Sequence, residues 1–382
     1  MSTPTPSRRL VVIGVHLATD GYPNVRHTLE GLRSTPAIVL EEYAFPMQSQ
    51  GHLSARRGLR AGMFAVVAHA KALRVLLRQT AETSVYVPYP APFLLFLWSL
   101  FPSRRRKRPR IVADAFISVH DTLVSDRQRL EPGSWRARLL HAIERRALNV
   151  ADAVVVDTLE NADFMAHSLG LRRDRVHAVG LCINEIAYAP RETASRQDGR
   201  CRVLFTGTLI PLHGIEVIVA AMTRLAARED IEFVLIGDGQ RAPLLEEFLA
   251  TPRSRIRWLR RWHTAGELAD EVAHADICLG VFSSRPKAQR VGPLKVHAYA
   301  CMGKAIITAD TQWSRRLSRD FATPPFATVP AGDPAALAAT IVELADNPAL
   351  RARLARASRT AYSQQLGNPH TLTRLEAVLF PQ

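Results

Sequence analysis

Lys287, Arg290 and Lys295 lie close together on a stretch, Pro286 to Thr308, that reads as a basic loop, then a helix, then a buried strand. A helix start carries partial positive charge, so cations gathered there favour a bound anion, a phosphate above all. Upstream, Gly207 follows an apolar run and is succeeded by Thr208, His213 and Gly214, while Gly237 ends another run. A residue without a side chain lets backbone N–H groups approach a diphosphate. The same glycines also suit tight turns between strand and helix, and for Gly237 that reading is equally good. In the other half of the chain, His120 and Asp121 follow the apolar run Ile111 to Phe116, with Arg127 soon after. His16 follows Leu10 to Val15, with Gly14 just before it and Tyr22 and Asn24 in the segment leading to the next helix. Histidine and aspartate at a strand's end can handle the proton of a hydroxyl, although lone histidines are more often structural.

The elements that must hold these groups alternate along the chain. Leu10 to Val15, Ala37 to Leu40, Val85 to Val87, Ile111 to Phe116, Ala153 to Asp157 and Val176 to Val179 read as short strands separated by helical patterns. That order implies a parallel sheet with right-handed crossovers. A polar stretch within 191–202 reads as a linker, after which strands recur at Val203 to Thr206, Phe233 to Ile236, Ile256 to Trp258, Ile277 to Phe282 and Ala305 to Thr308. The expected architecture is α/β, with two doubly wound Rossmann-like domains facing a cleft. One domain covers 1–190 and the other 203–360, and a last helical segment, 361–382, is placed to pack back on the first. Ligands in such sheets bind beyond the carboxyl ends of the strands, where the groups named above fall.

A length of 382 residues with 47% hydrophobic content supports two cores and argues against disorder. The four cysteines are widely spaced, without a C-x-x-C pair, which fits reduced thiols in a cytosolic setting. Nothing near Arg8 and Arg9 reads as a secretory leader. The net charge is +15, and residues 1–195 hold 26 Lys/Arg against 17 Asp/Glu, a net of +9. Nucleic acid is not the expected partner, because the cations are not interleaved with aromatics. An anionic membrane surface is expected instead. The apolar run Ala91 to Phe101, too short to span a bilayer, precedes a basic cluster from Arg104 to Arg110. It reads equally as a docking segment or as a core helix ending in a solvated turn. Leu59 to Thr80 reads first as an amphipathic packing helix, with lipid contact the lesser alternative.

Four motifs in register then matter together: Phe205 to Glu216, Val234 to Gly239, Ala275 to Val281 and the basic stretch from Pro286. In order and spacing they resemble the carboxyl-terminal domain of family 4 glycosyltransferases with the GT-B fold. That resemblance covers about 110 residues, from 203 to 312. It implies a nucleoside diphosphate sugar as donor, transfer to a hydroxyl with retention, and no cofactor. No metal is expected either, since no Asp-x-Asp pair is present and the loop cations can serve a diphosphate. The donor-binding candidates are Gly14, Gly207, Thr208, His213, Gly214, Gly237, Lys287, Arg290 and Lys295. His120 and Asp121 are the catalytic candidates near the reacting hydroxyl, with His16 at the donor or acceptor edge, and Tyr22, Asn24 and Arg127 are the candidates for the acceptor. The expected acceptor is lipid-linked or a glycan, at the inner face of a cell membrane.

The chain also departs from that pattern. Relatives carry basic residues where Thr208 and His213 stand, and two glutamates where Arg290 and Ala298 stand. A carboxylate that accepts ribose hydroxyls is worth about 1.5 to 3 kcal/mol per charged bond, so the donor must be held otherwise. A tailoring enzyme for a soluble acceptor and a catalytically silent scaffold therefore stay open beside the main expectation.

Overall fold

The first six strands pair as one parallel sheet in the order β2-β1-β3-β4-β5-β6. They are β1 (Arg8–His16), β2 (Ile38–Pro46), β3 (Ser84–Val87), β4 (Arg110–Asp114), β5 (Ala153–Val156) and β6 (Val176–Ala178). The computed structural model describes residues 8–16, 23–46, 59–101, 108–191, 199–251, 255–261 and 263–381. Between these strands run α1 (Pro23–Arg33), α2 (Leu59–Leu76), α3 (Pro92–Trp98), α4 (Val119–Asp121), α5 (Trp135–Asn149) and α6 (Leu159–Leu169). Alternation along each strand divides the core in two. Val11, Ile13, Val85, Val87, Ile111 and Val154 pack with Leu76, Leu94, Leu95 and Trp98. Leu10, Val12, Tyr86, Val112 and Val155 pack on the other face, against Val25 and Leu29 of α1. A parallel sheet needs both faces covered, and these near-continuous apolar strands supply them.

The second sheet has the order β12-β11-β10-β7-β8-β9 and is again parallel. Its members are β7 (Cys201–Thr206), β8 (Ile231–Ile236), β9 (Ile256–Leu259), β10 (Ile277–Leu279), β11 (Ala305–Ala309) and β12 (Ala327–Val329). Its helices are α7 (Ile215–Arg224), α8 (Ala242–Leu249), α9 (Ala265–Ala273), α10 (Leu294–Cys301), α11 (Gln312–Arg319), α12 (Pro334–Asp346) and α13 (Pro348–Ala361). Phe205, Phe233 and Leu279 face α7 and α12, while Leu204, Val234 and Ile306 face α10 and Trp313. The chain steps outward from β7 to β9 and then returns to β10 on the other side of β7. The crevice between β7 and β10 is thus a topological switch point, where ligands bind in sheets of this kind.

Two compact units result: Met1–Cys182 with Asn368–Gln382, and Ile183–Gly367. The first ends at Cys182 rather than at 190, because Cys182 N–H donates to Asn24 Oδ1 at 2.8 Å and stays with α1. The second runs to Gly367. The last helix, α14 (Asn368–Leu379), is part of the first unit, where Arg110 donates to Val378 O and Ser84 to Leu379 O. Most of the expected linker, 192–198, lies outside the described residues. β12 was not expected; its three residues, Ala327–Val329, are too few to give a readable alternation.

Candidate functional site

In the second unit the ends of β7 and β8 meet at two glycines. A Cβ on Gly237 would fall on the carbonyl oxygen of Gly207, so the two turns close on each other through backbone alone. Gly214 is in the left-handed region, φ 69°, and a Cβ there would stand 2.6 Å from Ser283 N. Only glycine fits this start of α7 against the segment after β10.

Lys295 reaches this turn from the first turn of α10. Its Nζ is enclosed, has no hydrogen-bond partner among the described residues and lies 3.7 Å from the centroid of the Phe205 ring. A Cβ on Gly207 would stand 2.9 Å from that Nζ and 3.3 Å from His213 Cε1, so the three residues surround one point. Burial holds the Lys295 amine well below the usual lysine range. His213 Nδ1 bonds the carbonyl of Thr208, and its ring stands edge-on to Phe205 at 5.8 Å. One helical turn beyond Lys295, the Tyr299 hydroxyl meets Thr206 N at 3.0 Å and Thr206 Oγ1 at 2.8 Å. That bond fixes α10 to the end of β7 and so aims Lys295.

Lys287 and Arg290 occupy the short turn Pro286–Gln289 and its end, which touches the Pro211–His213 turn. Both are buried, and Arg290 Nη1 donates to Pro286 O at 3.1 Å. They are thus built-in cations rather than solvated loop charge. Gly237 O accepts from Trp258 Nε1 at 2.9 Å. Ala298, at one of the two positions where relatives carry a glutamate, is buried in the core beside Tyr299.

In the first unit the expected residues lie along the carboxyl edge of the sheet. Gly14 is paired within β1, and a Cβ there would meet Pro88 Cδ at 3.3 Å. His16 ends the same strand; it is buried, its Nδ1 has no hydrogen-bond partner among the described residues, and burial lowers its pKa. Tyr22 lies outside the described residues. Asn24 is buried, and its Oδ1 accepts from Cys182 N at 2.8 Å. Arg127 is held beside Asp126 at 3.5 Å.

His120 sits on α4 with Asp121, which is buried. Its ring is edge-on to His141 at 5.0 Å, and burial followed by His141 lowers its pKa, with Asp121 opposing. The start of α4 is capped by a residue not foreseen. Glu144 of α5, itself buried, accepts from Val119 N at 2.7 Å, His120 N at 2.9 Å and Ser118 Oγ at 2.9 Å. An acid on the same stripe as Ala137, Ala147 and Leu148 is the sequence signal that would have found it. A second missed pair is Asp114 and Tyr86, joined at 2.7 Å beside a small cavity that Asn24, Thr28 and Thr371 also line. Burial raises Asp114 to about 6, against its bonds from Tyr86 and from the N–H groups of Phe116 and Tyr89.

Residues 200–347 match the family model described as "Glycosyl transferases group 1". No curated protein matches the chain. A sucrose-phosphate synthase from Thermosynechococcus elongatus is similar in structure, with a TM-score of 0.72 at 15% identity over 97% of this chain and 98% of that one. HepE of Anabaena, in complex with UDP, aligns with a TM-score of 0.67 at 13% identity over 97% and 99%. TarM of S. aureus, crystallised with Fondaparinux, alpha-GlcNAc-glycerol and UDP, aligns with a TM-score of 0.62 at 10% identity over 82% and 59%. The two doubly wound domains have the GT-B fold, and residues 200–347 are similar to the group 1 glycosyltransferases.

Proposed function

We propose that the chain moves a sugar from a nucleoside diphosphate donor to a hydroxyl of a lipid-linked or glycan acceptor, with retention, at the inner face of a cell membrane. The observation that carries the donor half is the enclosed amine of Lys295, which has no hydrogen-bond partner among the described residues and lies beside the Gly207 turn at the β7/β10 switch point. An amine sealed from water without a counter-charge is costly, and a diphosphate in that crevice offsets the cost. Lys287 and Arg290 bring further charge to the adjoining turn, so the reading needs neither metal nor cofactor. In retaining transfer the leaving diphosphate can take the acceptor's proton on the same face. The chain's residues then mainly hold developing phosphate charge and align the reactants. His120, its backbone fixed by Glu144, is the group for the acceptor side.

Ala298 favours a second reading. With no carboxylate for the ribose at that position, a catalytically silent scaffold keeps the fold and loses the chemistry. Thermal-shift titration with UDP, GDP, ADP and dTDP separates the two. A ligand at about 100 times its Kd adds about 2.7 kcal/mol of stability. UDP is the first to try, being the ligand bound in HepE. A selective shift lost in Lys295→Ala supports the enzyme, and no shift with any of the four supports the scaffold.

A further inference from the structure

From Met63 to Val67 the exposed surface of α2 is apolar. Ala68, Ala72 and Leu76 face the core, and on the opposite side Met63 is 61% exposed, Phe64 49%, Val66 70% and Val67 51%. At 100° per residue these four fall on one outward face together with Ala70, and the same face continues into Lys71, Arg74 and Arg78, all exposed. The helix and its continuation to Arg78 contain no acidic residue. Phe93 of α3, 43% exposed, extends the apolar area, its ring edge-on to His69 of α2 at 6.3 Å. The order along the outward face is therefore apolar, then basic.

We infer that the outward face of α2, with Phe93, docks on an anionic lipid bilayer. Met63, Phe64, Val66 and Val67 enter the boundary between headgroups and acyl chains, and Lys71, Arg74 and Arg78 bind lipid phosphates. A helix lying in the interface pairs an apolar face with cations in this way, whereas a solvated helix keeps its outward face polar. The absence of acids on the face suits a surface that is itself negative. The docking surface is thus centred on α2, and of helix α3 only Phe93 joins it, because Leu94, Leu95 and Trp98 are spent in the core. The inference names where the proposed membrane acceptor is met, and its test needs no nucleotide.

The experiment is co-sedimentation of the full chain with vesicles of phosphatidylcholine containing roughly one-third phosphatidylglycerol, beside vesicles of phosphatidylcholine alone. Binding is expected only to the anionic vesicles and is expected to fall with added salt. Lys71→Glu, Arg74→Glu and Arg78→Glu together should weaken partition at least a hundredfold, at about a fivefold loss per cation removed. Val66→Asp with Val67→Asp should weaken it as well, with the melting temperature unchanged because both side chains face solvent. Unchanged partition in either variant overturns the inference. So does a dimer in solution that the Val66→Asp, Val67→Asp variant dissociates, which would make the face a contact between copies. The nucleotide titration is run on the same preparations: a nucleotide shift without vesicle binding sinks only this inference, and vesicle binding without a shift sinks only the donor reading.

Discussion

Lys295 and Phe205 form a buried cation–aromatic pair, Nζ 3.7 Å from the ring centroid, at the mouth of the Gly207 turn. The ring face attracts the cation electrostatically but offers no hydrogen bond, so the amine keeps its donors for a ligand. The other titratable groups at this point are His213, edge-on to the same ring, and Tyr299, whose hydroxyl is taken by Thr206.

Lys295→Met keeps the length and removes the charge. It should reduce nucleoside diphosphate affinity at least tenfold, measured by calorimetry. The melting temperature should hold or rise, because an enclosed amine without a hydrogen-bond partner is lost. In the wild type, binding should be accompanied by proton uptake, since burial lowers the Lys295 pKa and an anion restores it. Calorimetry in buffers of different ionisation enthalpy reads that uptake, and equal heats in all of them would contradict it.

Tyr299→Phe removes both bonds to Thr206 and leaves a buried N–H unsatisfied. The expected cost is about 1 to 3 kcal/mol in urea unfolding. Donor binding should weaken in the same variant, because α10 is no longer pinned to β7. Loss of stability with intact affinity would separate Tyr299 from the site.

Glu144→Gln puts an amide N–H₂ where a carboxylate oxygen now receives Ser118 and His120. We expect a stability loss of about 1 to 3 kcal/mol. A fall in kcat larger than any change in donor KM should accompany it, since the contact fixes His120 and not the donor turn. An unchanged kcat would leave Glu144 a structural cap only.

Asp114 is raised from its ordinary 3.8 to about 6 by burial. The native state therefore holds this proton more tightly than the unfolded state, and stability is lost as pH rises from about 4 to 6. The difference is on the order of 3 kcal/mol. Urea unfolding at a series of pH values should show Asp114→Asn gaining relative to the wild type across that window. A constant difference would place the proton elsewhere.

The alternation of apolar runs with helical patterns was enough to give two parallel α/β domains, because a strand buried on both faces must read as a short continuous apolar segment. The loop cations and the turn glycines were legible for a similar local reason: charge beside a helix start and glycine after a strand are patterns of adjacent residues. What tertiary structure alone decided is which distant residues meet. Phe205 under Lys295, Tyr299 on Thr206 and Glu144 on the start of α4 join positions tens of residues apart, which periodicity within an element does not encode. The commitment of Asn24 to Cys182 and of α3 to the core were settled the same way. Residue types and spacing fix which groups stand at strand ends, and packing between elements fixes which of them are left without a partner for a ligand.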